Sequence, residues 1–372
     1  MDKAIEKLLN INMGIKPGER VLVFTDLMQE GRLEAKEMDR CRRLEKAAER
    51  VAELSGRITE TQFYKYEALP SNGYEPPEPV WRMAMGGSAL EGLKEGGLFE
   101  RLRTKKAVEG DVEKAFEILS RHTGEIVDVI IAMSNFSTSH TRFRHLLTKI
   151  KGTRYASMPL FDPDMFSSSM DADWNKIADR TEHIARLITR ADSVLMKCPL
   201  GTDMKMGFKG RAGHADTGII TSAGSFGNLP AGEVYIAPVE GTSEGIMVLN
   251  WSTTRQLSPP VTLTVKNGKV VEMDGDPQFT GYLRDVFEKS PNATNIAELG
   301  IGTNDKASRP DNILEAEKIL GTTHVALGDN TTFGGNTSAN FHEDYVFFSP
   351  TLIIEYGDGT REVLIDKGKI NI

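Results

Sequence analysis

Five side chains stand where a chain rarely places a charge or an imidazole. His342-Glu343-Asp344 leads into Tyr345-Val346-Phe347-Phe348, which reads as a strand. Residues i and i+2 of a strand share a face, so His342 and Asp344 aim a nitrogen and an oxygen the same way while Glu343 points elsewhere. Thr323-His324-Val325-Ala326-Leu327-Gly328 is a short apolar strand with one histidine near its start. Glu298, within Ile296–Gly302, and Glu233, within Asn228–Pro238, are each a lone acid in an apolar run. A buried carboxylate is costly unless it is paired or metal-bound. Two glutamates, two histidines and an aspartate make an N/O donor set suited to Zn, Mn, Co or Fe in the divalent state. Plain readings stand beside this one: His-x-Asp triplets arise by chance, and a lone histidine in a strand is more often a satisfied core residue.

Other chemistries find little support. No phosphate-binding Gly-x-x-x-x-Gly-Lys-Ser/Thr loop occurs, and Gly334-Gly335-Asn336-Thr337 is not followed by a helical pattern. Cys41 and Cys198 lie far apart in apolar patterns without a neighbouring histidine, which argues against a thiol nucleophile, a metal knuckle or a disulfide framework. His122, His140, His145 and His183 read as partly exposed surface residues. The 372 residues are 39% apolar and 26% charged, a globular composition. Lys and Arg number 45 against 53 Asp and Glu, a net charge of −8, and the basic clusters Arg40–Arg43 and Arg101–Lys106 sit among acids. Nucleic acid is therefore not an expected partner. No apolar run reaches the length of a membrane helix and the N-terminus carries no export signal, so the expected setting is the cytoplasm, without a membrane partner.

The elements that must position these groups change character along the chain. Val21–Phe24, Thr61–Tyr64, Val127–Met133 and Thr153–Met158 read as strands. Between and after them come helical patterns: Leu33–Leu54, Thr141–Lys149 and Asp173–Thr189. Strands alternating with helices imply a mostly parallel sheet. Past residue 190, hairpin signals take over: Val261–Val265 and Val270–Met273 flank Asn267-Gly268, and Leu352–Tyr356 and Glu362–Ile365 flank Asp358-Gly359. Helices are expected only near Thr280–Lys289 and Asn312–Leu320. The expectation is an α/β domain over 1–190 with a mostly parallel sheet, then a β-rich, antiparallel α+β domain over 191–372 that holds the metal set.

The blocks Asn228-Leu-Pro-Ala-Gly-Glu233-Val-Tyr, Ala297-Glu298-Leu-Gly, His324-Val-Ala-Leu-Gly328 and His342-Glu-Asp344 resemble, in order, those of the aminopeptidase T and aminopeptidase S family of metallo-aminopeptidases. The resemblance implies metal ligation by Glu233, Glu298, His324, His342 and Asp344, two divalent ions (Zn, Co or Mn), a peptide substrate, and a cytoplasmic homodimer. A metal pair activates water and polarises the scissile carbonyl, with Glu298 as bridge or base. His214 and Thr331 are the candidates for substrate contact, an ordinary loop position being the alternative for both. Two positions depart from the family pattern: Thr331 stands where a tyrosine is usual, and Ile319 where an acid is usual, with Glu317 two positions away. A related branch, the ring-cleaving dihydroxypyridine dioxygenases, uses the scaffold with a single iron and a histidine in place of Glu298. The glutamate ranks the peptidase first, the oxygenase second, and a relative that binds a small molecule without turnover third.

Overall fold

Val21-Leu22-Val23-Phe24 is buried on both faces, the environment of a strand inside a parallel sheet. The computed structural model, which describes residues 1–29, 31, 33–253 and 255–372, divides the chain into two units. One comprises Met1–Asp171 with Gly218–Pro230, the other Ala172–Thr217 with Ala231–Ile372.

The first unit begins its sheet with β1 (Arg20–Leu27), β2 (Glu60–Glu67), β3 (Val129–Ala132) and β4 (Arg154–Ser157). The helix Ala35–Gly56 buries Met38, Cys41, Leu44, Ala48 and Val51, the 3.6-residue stripe visible in the sequence. Thr141 caps the helix Arg142–Ile150 by accepting from Arg144 N. The chain next forms β5 (Ala191–Lys197), β6 (Asp203–Gly207) and β7 (His214–Asp216) of the second unit. It then returns to the first sheet as β8 (Phe226–Asn228). The first sheet runs β2-β1-β3-β4-β8, parallel throughout, over a core that includes Phe24, Trp81, Phe99, Phe143 and Tyr155.

The remaining strands all belong to the second unit. They are β9 (Glu233–Ile236), β10 (Glu244–Trp251), β11 (Gln256–Lys266), β12 (Lys269–Asp274), β13 (Ile296–Gly302), β14 (Thr323–Gly328), β15 (His342–Phe347), β16 (Thr351–Tyr356), β17 (Arg361–Asp366) and β18 (Lys369–Ile370). An eight-stranded sheet is ordered β12-β11-β10-β6-β5-β16-β17-β18, and a five-stranded one β15-β14-β13-β9-β7. Every pairing in both is antiparallel. Asn267 and Gly268 take positive φ (50° and 74°) in the β11–β12 turn, as a two-residue hairpin requires. The helix Trp174–Thr189, capped by Asp173, packs on β7 and β9 and contributes Ile184 and Ile188 to the core shared by both sheets.

The fold class is the expected one: an α/β region with a parallel sheet, then an antiparallel β-rich region. The helix expected over 312–320 is a single turn, Ile313–Ala316. Beyond it the chain continues as tight turns (Lys318 N to Glu315 O, 3.0 Å; Ile319 N to Ala316 O, 3.3 Å) and bonds across to Asn304: Asn304 N donates to Lys318 O (2.9 Å) and Leu320 N to Asn304 O (3.1 Å). No helix among the described residues is long and apolar enough to cross a membrane.

Candidate metal centre

Cross-strand register collects the polar groups on one face of the five-stranded sheet. Asp216 pairs with Glu233, His214 with Tyr235, Tyr235 with Gly300, and Gly300 with His324. Glu298 pairs with Ala326, Ala326 with Asp344, and Gly328 with His342. The intervening residues, Val234, Ile236, Leu299, Ile301, Val325, Leu327, Tyr345 and Phe347, point the other way into the core. Gly300, Gly302, Ala326 and Gly328 leave the polar face room; a Cβ on Gly300 would lie 1.9 Å from His324 Nε2. Ile296 pairs with Leu327 on the core face, so plain alternation would put Glu298 there too. A bulge between Ile296 and Glu298 turns the acid over. Glu343 faces away, and the hydroxyls of Tyr282 (2.7 Å) and Tyr345 (3.1 Å) donate to it.

The five acid and imidazole groups singled out in the sequence lie together as a chain of contacts. His324 Nε2 is 3.4 Å from Glu233 Oε2 and 3.3 Å from Glu298 Oε1. His342 Nε2 is 3.6 Å from Glu298 Oε2 and 3.7 Å from Asp344 Oδ1. Two groups could each hold a metal ion, Glu233–Glu317–His324 and Glu298–His342–Asp344, with donor atoms within 4.8 Å of one another in each. Glu233 Oε2, His324 Nδ1 and Asp344 Oδ1 are buried without a hydrogen-bond partner. Orphaned acceptors of this kind, in an N/O set, fit a divalent cation. His342 Nδ1 donates to Asp329 O (2.7 Å), which leaves Nε2 with its lone pair towards Glu298 and Asp344.

Unneutralised acid dominates the face. Burial opposes charge on His324, but the hydrogen bond with Glu298 and the charges of Glu233, Asp344 and Glu317 outweigh it and push its pKa up to about 10. Burial likewise opposes charge on His342, and Asp344 and Glu298 raise it nonetheless. Glu317, desolvated and close to Glu233 and Asp344, is pushed up to about 8 against the pull of Lys318. Without metal, then, the His324 imidazole carries a proton at neutral pH.

Sequence reasoning missed Lys318, passed over Glu317 as out of register, and left Tyr235, Asp329 and Phe333 without a role. Lys318 Nζ, 1% exposed, donates to Glu233 Oε1 (2.6 Å) and Glu317 Oε1 (2.7 Å). The Glu315–Lys318 run looks like a solvated helix face; only the backbone's turn towards Asn304 brings it inward. Phe333 stands edge-on to Tyr235 (5.6 Å) and to His342 (5.9 Å). His214 stacks on Tyr235 (5.2 Å, 20°), so it lies on the polar face. Thr331 directs its hydroxyl to Asp329 Oδ1 (2.8 Å) and is exposed at the start of the turn that carries Phe333. Asp329 Oδ2 also accepts from Ala339 N, and Asn330 Oδ1 from Thr337 N, so the segment is tied at both ends.

An antiparallel sheet with one face lined by carboxylates and imidazoles defines a candidate metalloenzyme centre. The chain belongs to the family described as NicX, 2,5-dihydroxypyridine 5,6-dioxygenase, whose family model matches residues 127–371. It is thus placed in the branch ranked second from the sequence, and in a family of enzymes. Among solved structures it is similar to 2,5-dihydroxypyridine dioxygenase from Pseudomonas putida KT2440, with a TM-score of 0.67 at 16% identity, covering 99% of this chain and 96% of that one. It is also similar to wild-type AmpT (aminopeptidase T) from Thermus thermophilus, with a TM-score of 0.56 at 15% identity and coverage of 100% and 98%. The resemblance to the aminopeptidases is therefore one of scaffold. No curated protein matches the chain.

Proposed function

We propose that the protein is a metal-dependent dioxygenase that opens a hydroxylated aromatic or nitrogen-heteroaromatic ring. The carrying observation is that the open ligand trio adjoins an aromatic wall. His342 and Asp344 keep 34% and 21% side-chain exposure, and Phe333, Tyr235 and His214 line up beside His342. Flat rings at these spacings suit a flat substrate. Membership of the dioxygenase family supports the same reading.

Glu298, His342 and Asp344 would hold the ion, with Asp329 O fixing the tautomer of His342. A bound divalent iron would supply the electron-transfer path between an electron-rich ring and dioxygen. Burial holds the Tyr235 phenol well above its ordinary pKa, so at neutral pH it keeps its proton and donates to a ring hydroxyl or carbonyl. His214 packs face-on and Phe333 edge-on against that phenol ring. His324 keeps a hydrogen bond on Glu298 and so orients the carboxylate.

Glu298 itself favours a second reading. Iron oxygenases of this general kind use two histidines and one carboxylate, whereas two carboxylates and one histidine also suit the metal-activated water of an aminopeptidase. Protein reconstituted anaerobically with Fe(II) and given 2,5-dihydroxypyridine should consume dioxygen in step with loss of ring absorbance. No oxygen uptake, together with release of nitroaniline from leucyl-p-nitroanilide by the Zn or Co form, would decide for the peptidase.

A further inference from the structure

Two candidate ion positions lie side by side on the sheet face, and one of them already holds a cation. Lys318 sends its ammonium between Glu233 Oε1 (2.6 Å) and Glu317 Oε1 (2.7 Å), with 1% of the side chain exposed. Those two acids are the carboxylates of the Glu233–Glu317–His324 group. A divalent ion bound to the same oxygens would sit roughly 2.0–2.2 Å from each of them, inside the space the ammonium fills. The side chain is enclosed at 1% exposure, and the backbone that presents it is held on both sides. Lys318 N donates to Glu315 O (3.0 Å), and Lys318 O accepts from Asn304 N (2.9 Å). Asn304 Nδ2 donates in turn to Ala231 O (2.9 Å), two residues before Glu233 on the same chain segment. The arrangement thus couples the segment that presents Lys318 to the one that presents Glu233. Among the described residues no Lys or Arg pairs with the Glu298–His342–Asp344 group: the hydrogen bonds and ion pairs of Lys318 go to the other two acids.

We propose that the Lys318 ammonium permanently occupies one of the two cation positions. The chain then takes a single divalent ion, at Glu298, His342 and Asp344, and removing the ammonium opens the second position. The inference builds on the reading of that trio as a metal site, but not on which reaction the site performs. His324 then acts as a positioning residue for Glu298 and not as a ligand.

Metal-stripped full-length protein, titrated with Zn2+ or Mn2+ and washed, should retain one ion per chain by elemental analysis. Lys318→Met should retain two. Lys318→Gln, which keeps a donor without the charge, should do the same and covers the case in which the methionine variant fails to fold. Two ions, or none, in the wild-type chain would overturn the proposal, as would a single ion in both folded variants. One ion with peptide hydrolysis would uphold it while the dioxygenase reading failed; two ions with oxygen uptake would do the reverse.

Discussion

Replacing Gly300 with alanine places a methyl group where the imidazole of His324 lies. The added Cβ would be 1.9 Å from Nε2, 2.0 Å from Cε1 and 2.5 Å from Cδ2, against the 3.4–4 Å of ordinary contact. The ring must therefore move by about 1.5 Å (3.4 less 1.9), and at 1% exposure it has no open space to enter. Overpacking of this kind costs about 1–3 kcal/mol. Losing the 3.3 Å contact between His324 and Glu298 leaves a buried carboxylate short of a partner, about 1–3 kcal/mol more. The expected total is about 2–6 kcal/mol. Because Glu298 loses its orienting partner, metal affinity should also fall by about 10- to 100-fold. Urea denaturation and a Zn2+ titration of the folded variant read these two effects separately. Gly281→Ala is the matched control. It lies exposed in the helix Pro277–Lys289 with nothing within 4 Å of an added Cβ, so the same methyl should stabilise by up to about 1 kcal/mol. Wild-type stability and metal affinity in Gly300→Ala would refute the pairing of Gly300 with His324, and with it the assignment of the polar face.

His342→Ala should abolish metal retention while the parallel sheet of the first unit stays folded; metal content and circular dichroism check both parts, and retained metal would remove His342 from the ligand set. Asp329→Ala deletes the carboxylate that accepts from Thr331 N and Ala339 N, and should loosen the carbonyl that orients His342. Metal affinity should fall by about tenfold, seen as a weaker Zn2+ titration with unchanged stoichiometry. Burial pushes Glu75 up to about 6 from an ordinary 4.5, even though Phe143 N and Arg142 N donate to it. The folded protein thus binds more protons than the unfolded one between those values. Glu75's contribution is least unfavourable below pH 4.5 and worsens as pH rises through 6, by about 2 kcal/mol in all. Subtracting the Glu75→Gln stability curve from that of the wild type should show that slope; a flat difference would refute it.

Strand alternation made the candidate set readable because a lone acid or histidine in an apolar strand is costly to bury unless something binds it. Glu233, Glu298, His324, His342 and Asp344 all stand out in this way, and the structure brings all five onto one face. Alternation alone, though, would have sent Glu298 into the core beside Ile296. Only the bulge at Ala297 corrects this, and an alanine among apolar residues carries no sign of a bulge. Lys318 was invisible for the opposite reason. Glu315, Glu317 and Lys318 are the residues a solvated helix would use, and nothing local reveals that Asn304 captures their backbone from elsewhere in the chain. The choice between hydrolase and oxygenase was decided in sequence on one side chain, Glu298, while the family match spans residues 127–371. A single ligand position constrains the ion's charge balance more than its reaction. With Lys318 counted, the two groups share four carboxylates, two imidazoles and one fixed ammonium. One divalent ion added to that ammonium leaves the neutral-imidazole site close to charge balance at −1. A second ion would have to enter between Glu233 and Glu317, where the ammonium already sits. The glutamate at 298 and the ammonium of Lys318 offset each other: a histidine at 298 with no ammonium at the face would give the same −1 with one ion.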